Sequence, residues 1–148
     1  MRKLNIGCGP NWKKIYPDYV GLDIIDHSQR YVGDIRFELN HISYEIKNTL
    51  WDEVMANHFL EHFTQAELSK IFLDVYSLLK IGGTFKIVVP RKDSDKAYVL
   101  THKTFWTEKT FRALEEDETS SYSLFGKWKI KKLVTNSRKD IHCLLEKI

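Results

Sequence analysis

The chain has 148 residues, of which 43% are hydrophobic and 29% charged, and its formal net charge is +3. That balance fits one globular domain with a substantial core and excludes a disordered chain; no apolar run approaches the roughly 18 residues a membrane span requires. Two cysteines, Cys8 and Cys143, are too few for a disulfide framework or a zinc site, and the opening MRKLNIGCGP lacks a signal-peptide stretch, so a reduced, cytoplasmic protein is expected.

No internal repeat, low-complexity tract or flexible linker interrupts the sequence, so residues 1–148 are expected to form a single domain. Lys3 to Ile6 predicts a short strand ending at Gly7. Tyr19 to Ile24 predicts a second, with Asp23 near its end, and Tyr31 to Val32 a brief third before Gly33 and Asp34. Leu39, Ile42, Ile46 and Leu50 recur at spacings of three and four, the mark of an amphipathic helix. Glu53 to Ala56 reads as a buried strand. Thr64 and Glu67 form a capping box that opens a helix carrying Leu68, Ile71, Phe72, Val75, Leu78 and Leu79 on one face. The pair Gly82-Gly83 is expected to stop that helix, and Thr84 to Val89 to follow as a strand closed by Pro90. A polar segment, Arg91 to Lys103, leads to a helix near Glu108 to Glu116. Lys127 to Thr135 and Ile141 to Ile148 then predict a hairpin around Asn136 to Asp140.

Strands alternating with helices imply an α/β fold with a mostly parallel sheet and right-handed crossovers, to which the hairpin adds an antiparallel pair. Ligands in such sheets bind beyond the carboxyl ends of the strands. Gly7 and Gly9 follow the first strand, where glycine permits a tight turn and close approach of a ligand to the backbone. A dinucleotide fingerprint would place a third glycine at position 12, which is Trp12, and Pro17 limits any long helix; a P-loop is excluded because no Gly-Lys-Ser/Thr follows. Asp23, 14 residues after Gly9, offers a carboxylate able to accept from both hydroxyls of a ribose. His58 and His62 stand at the i,i+4 spacing of a helical zinc site, but no third ligand follows at a suitable spacing, so no metal is expected. From Gly126 to Ile148 there are seven Lys/Arg and two Asp/Glu, a basic segment that could serve RNA or DNA but fits the solvent face of a terminal hairpin.

Five segments, LNIGCGP, YVGLDI, GDI, WDEVMANHFLEHF and LLKIGGTFKIVVP, occur in the order of the class I S-adenosylmethionine-dependent methyltransferases, and the chain resembles the methyltransferase type 11 branch from Leu4 to Pro90. The resemblance implies a Rossmann-like fold, S-adenosylmethionine as cofactor and methyl transfer as the reaction. It implies that Gly7, Cys8 and Gly9 wrap the methionine end of the cofactor, and that Asp23 holds the ribose with Ile24 against the adenine. Asp34 would accept from the adenine amino group, with Ile35 on the ring. Asn57 and His58 would flank the methionine part and face the acceptor, and Glu61 and His62 would organise the start of the next helix. Methyl transfer is governed by alignment of the acceptor, worth about 7–11 kcal/mol, and by removal of its proton, for which His58 and then His102 are the expected bases. The residues after the fourth strand, Asn57-His58-Phe59-Leu60, do not form the Asp/Asn-Pro-Pro-aromatic motif of nucleobase amino methylation, and neither cysteine is placed for cytosine C5 chemistry. An O or N acceptor on a small molecule, a glycan or a macromolecule remains, with a non-catalytic scaffold of the same fold or an RNA/DNA methyltransferase as alternatives.

The chain departs from the family in its connections. Cys8 to Asp18 and Ile25 to Arg30 are too short for full crossover helices, so one sheet face is expected to be thinly covered. A homodimer or another partner is therefore expected on that face, with Trp12, Tyr16 and Tyr19 as contact residues.

Overall fold

The computed structural model describes residues 1–33, 35, 45–116 and 124–148. Its elements, in chain order, are β1 (Lys3–Ile6), α1 (Trp12–Ile15), β2 (Val20–Asp23), β3 (Tyr31–Val32), β4 (Trp51–Asn57), a 3-10 turn (Leu60–His62), α2 (Gln65–Leu78), β5 (Leu79–Pro90), a second 3-10 turn (Asp95–Tyr98), α3 (Glu108–Glu116), β6 (Trp128–Thr135) and β7 (Asp140–Lys147). The strands form one seven-stranded sheet in the order β3-β2-β1-β4-β5-β7-β6. The first five are parallel, and β7 pairs antiparallel with both β5 and β6. This is the expected Rossmann-like α/β architecture. The strand order reverses between β1 and β4, so a crevice opens there beyond the carboxyl ends of the strands. No helix among the described residues is long and apolar enough to cross a membrane.

The register decides which side chains form the core. Leu4 pairs with Val54, Val54 with Phe85, and Phe85 with Leu145; one pleat on, Ile6, Ala56, Ile87 and Cys143 align. All eight are buried in one apolar cluster with Leu68, Ile71, Phe72 and Val75 of α2 and Phe111 and Leu114 of α3. Successive strand residues point to opposite faces, so Lys3, Glu53, Thr84 and Glu146 line the other face, followed by Asn5, Met55, Lys86 and Leu144. That face is largely polar. Tyr19 lies over it and donates its hydroxyl to Glu53, which also accepts from Thr84.

The first short connection has only the one-turn α1 and the second has no helix, and side chains hold both. Gln29 is buried, and its amide donates to the carbonyls of Ile25 and Tyr31 while its carbonyl accepts from His27 N–H. Trp12, expected at a partner contact, donates its indole N–H to the His27 carbonyl at 3.2 Å.

Two expectations are corrected. Helix α2 begins at the Thr64–Glu67 capping box, with both reciprocal bonds formed, but it ends at Leu78 without help from Gly82-Gly83, which lie inside β5. Leu79 is drawn into the sheet opposite Trp51, and Lys147 donates to the carbonyls of Tyr76 and Leu79 at 2.7 and 2.8 Å, taking the place of a glycine cap. The helix expected from Leu39, Ile42, Ile46 and Leu50 lies largely outside the described residues; residues 45–47 are helical, Ile46 is buried, and Leu50 is exposed rather than apolar-face.

Candidate active site

The ends of β1, β2 and β4 border a cavity of about 600 Å³ whose wall includes Gly7, Asp23, Ile24, Gly33, Ile35 and His58. That volume falls within the roughly 300–1,000 Å³ of small-molecule sites. Three expected cofactor residues, Cys8, Gly9 and Asn57, are not among those that line it. Cys8 and Gly9 donate their N–H groups within the loop, to the Leu22 carbonyl and the Asp23 carboxylate. Asn57 ends β4 beside Val88. Asp34 lies outside the described residues.

Glycine is required at residue 7 on two counts. Its φ is +64°, and a Cβ there would stand 2.0 Å from the Phe59 ring. Gly9, at φ +66°, has nothing within 4 Å of the corresponding position, which leaves the loop open at that point. Asp23 accepts from Gly9 N–H through Oδ2 at 2.9 Å and from Ile25 N–H through Oδ1 at 3.1 Å. Each oxygen keeps a second lone pair, so the carboxylate is fixed in direction while retaining acceptor capacity. Ile24 and Ile25 beside it are 65% and 59% exposed, an apolar surface at the lip of the cavity.

His58 departs from the helical arrangement that its spacing to His62 suggested. Its φ is +50°, left-handed for a non-glycine residue, and its N–H donates to the Val88 carbonyl. Nδ1 lies 3.4 Å from Glu61 Oε1 and Nε2 lies 3.8 Å from Asp140 Oδ1, which is itself paired with Lys96 at 2.6 Å. The Glu61 carboxylate raises the His58 pKa above its ordinary value, against the opposing effect of burial. Backbone strain of this kind concentrates at functional sites.

Glu61 and His62 belong to the 3-10 turn and do not cap α2. The Glu61 carbonyl instead accepts from Lys103 and Thr104 N–H, tying the turn to the segment after β5. This brings His102, 40 residues on in sequence, against His62, with ring centroids 4.7 Å apart at 85°. His102 is not among the residues that line the cavity, whereas His62, Thr101 and Lys103 are. Phe59 and Phe63, packed edge to face, complete the wall; only the Gly-loop contact with Phe59 distinguishes them, and nothing local in sequence reveals it.

The basic C-terminal segment forms the antiparallel β6–β7 hairpin, as expected. Lys131 pairs with Glu146 at 3.2 Å, Lys139 with Asp93 at 3.5 Å, and Lys147 is spent on the end of α2.

No model of a protein family matches the sequence, and no curated protein matches it. Solved structures do match and share this Rossmann-like α/β fold, and those named here are S-adenosylmethionine-dependent methyltransferases. One is a methyltransferase of this kind from Archaeoglobus fulgidus, 18% identical with a TM-score of 0.67, covering 99% of this chain and 86% of that one. A second is the N-methyltransferase NodS from Bradyrhizobium japonicum in complex with S-adenosyl-L-homocysteine, 12% identical with a TM-score of 0.66, covering 99% and 77%. A third is an O-methyltransferase family 2 protein from Planctomyces limnophilus in complex with apigenin, 14% identical with a TM-score of 0.61. The chain spans about half the length of that protein (49%) and of PigF (56%).

Proposed function

We propose that the chain binds S-adenosylmethionine in this cavity and transfers its methyl group to an oxygen or nitrogen acceptor. The observation that carries the reading is the carboxylate of Asp23, held by the Gly9 and Ile25 N–H groups, in the wall of the cavity that the positive-φ Gly7 also lines. The residues fit the cofactor. Asp23 suits two ribose hydroxyls, Ile24 and Ile35 offer apolar surface for a purine, and Gly9 leaves room along the backbone. When bound, the cofactor supplies a methyl carbon already attached to a good leaving group, so the protein's task is alignment and water exclusion. Phe59 and Phe63 provide the apolar wall for that. Of the two expected bases only His58 lines the cavity, and we assign it to the proton of the acceptor.

Calorimetric titration with S-adenosylmethionine tests the reading. Binding in the micromolar range is expected, with Asp23→Ala weakening it at least about 100-fold, the scale of losing charge-assisted bonds to two hydroxyls. Absence of binding at millimolar cofactor would overturn it.

A further inference from the structure

Glu61 presents a problem the methyl-transfer reading does not solve. Its side chain is 1% exposed; Oε1 has His58 Nδ1 as an ion-pair neighbour at 3.4 Å, whereas Oε2 has no hydrogen-bond partner among the described residues. An ionised carboxylate withdrawn from water requires a compensating charge or donor set. His62 and His102 stand beside it. One ligand atom from each of Glu61, His62 and His102 lies within 4.8 Å of the others. In a tetrahedral site with bonds of about 2.0–2.1 Å, neighbouring ligand atoms are about 3.4 Å apart. Modest side-chain closure therefore brings all three onto one ion.

The histidines are also held as metal ligands are held. His102 Nδ1 is 3.1 Å from the Ala97 carbonyl, and His62 Nδ1 is 3.4 Å from the Thr101 carbonyl. A carbonyl oxygen only accepts, so in the neutral imidazoles these contacts place the proton on Nδ1 and turn the Nε2 lone pair toward a ligand. An imidazole oriented through Nδ1–H to a backbone carbonyl is the usual outer-shell support of a metal-binding histidine. The backbone bonds from Lys103 and Thr104 to the Glu61 carbonyl then fix the two segments against each other.

We propose that Glu61, His62 and His102 bind one divalent transition-metal ion, and that its open coordination position takes an oxygen of the methyl acceptor. Two imidazoles and a carboxylate suit manganese, iron, cobalt, nickel or zinc better than magnesium or calcium. Three protein ligands leave a position free, as in catalytic rather than structural sites. His62 lines the cavity proposed for the cofactor, so an oxygen bound at that position faces the same space. A metal there lowers the pKa of a coordinated hydroxyl and fixes its direction. The acceptor clause rests on the methyl-transfer reading; the metal clause does not.

The test begins with the full chain stripped by EDTA, dialysed and titrated with Co²⁺, followed by calorimetry and by the visible absorption of the ion. One equivalent is expected to bind, with the absorption of a low-coordinate site. In His102→Ala and, separately, Glu61→Gln, affinity should fall at least about 100-fold, with circular dichroism confirming that each variant is folded. His102→Asn provides a second variant should either fail to fold. Binding left unchanged by His102→Ala and His102→Asn would overturn the site. Addition of catechol, as an oxygen-donor probe, should shift the Co²⁺ bands; an unshifted spectrum would overturn the acceptor clause. Titration of S-adenosyl-L-homocysteine in EDTA separates the two proposals. Cofactor binding without metal binding removes only the metal site, and metal binding without cofactor binding removes the methyl-transfer reading.

Discussion

Gly7 and Gly9 share nearly the same left-handed backbone, yet they are not equivalent. At Gly9 an added methyl would enter open space, so alanine carries only the conformational cost of that φ, about 1–2 kcal/mol. At Gly7 the methyl would overlap the Phe59 ring, adding an overpacking cost of about 1–3 kcal/mol. Urea denaturation should therefore rank Gly7→Ala as the less stable variant, by about 1–3 kcal/mol. Equal midpoints for the two would show that Phe59 yields without cost. The same contact ties function to stability, since Phe59 follows His58, whose own left-handed backbone sets where the cavity wall begins. Asp23 acts likewise at two levels. It holds Gly9 N–H and Ile25 N–H before any ligand arrives, so its loss loosens the loop as well as removing an acceptor.

Among the elements, the end of α2 shows how a distant residue finishes a local structure. The last carbonyls of a helix have no partner within it. Here Lys147 reaches those of Tyr76 and Leu79, and its ammonium also lies 4.5 Å from the Tyr76 ring centre. Lys147→Met keeps the apolar stem and deletes the charge, and should cost about 1.5–3 kcal/mol in a denaturant midpoint, the range of a charged hydrogen bond. A change under about 0.5 kcal/mol would mean that water serves those carbonyls equally well. Such a cap explains which parts of the fold were legible in sequence. The short strands β1 and β3, the capping box of Thr64 and Glu67, and α3 lie where the local pattern of side chains puts them, whereas β5 begins five residues before the expected Thr84. The stop of α2 depends on a residue from the last strand, so Gly82-Gly83 misled. The site divides in the same way. Gly7, Asp23, Ile24, Ile35 and His58 follow strand ends, where position alone foretells the cavity. His102 meets Glu61 and His62 only because backbone bonds between two separate segments bring them together, and no spacing rule encodes that.

The whole molecule is a sheet with two unlike faces. Helices α2 and α3 cover the apolar face, while the other carries Lys3, Glu53, Thr84, Lys86, His142 and Glu146. A sheet region that ends in antiparallel strands can present such a face to water. The short connections therefore do not by themselves demand a covering partner, because the side chains beneath them are polar or, like Asn5 and Met55, already buried. What this compact arrangement does demand is that several acidic groups stay protonated. Burial, assisted by the Asp23 charge, pushes the Cys8 thiol from 9.0 up to about 11, and burial with the Glu115 charge pushes Cys143 up to about 12. Burial and the bond to Glu53 raise the Tyr19 hydroxyl in the same direction. The sign follows from proton counting. Below about pH 9 the thiols are protonated whether the chain is folded or not, and their contribution to stability is fully present. As pH rises above 9, the unfolded chain releases these protons while the folded chain retains them, so stability falls until the folded thiols also ionise near 11 to 12. Thermal unfolding followed by circular dichroism should show a melting temperature that declines steadily from pH 8.5 to 11. Cys8→Ala, at a half-buried position, should flatten part of that slope without changing the fold. A melting temperature constant across this interval would show that the thiols do not resist ionisation in the folded chain, and that the loop over Gly21 and Gln29 admits water to Cys8.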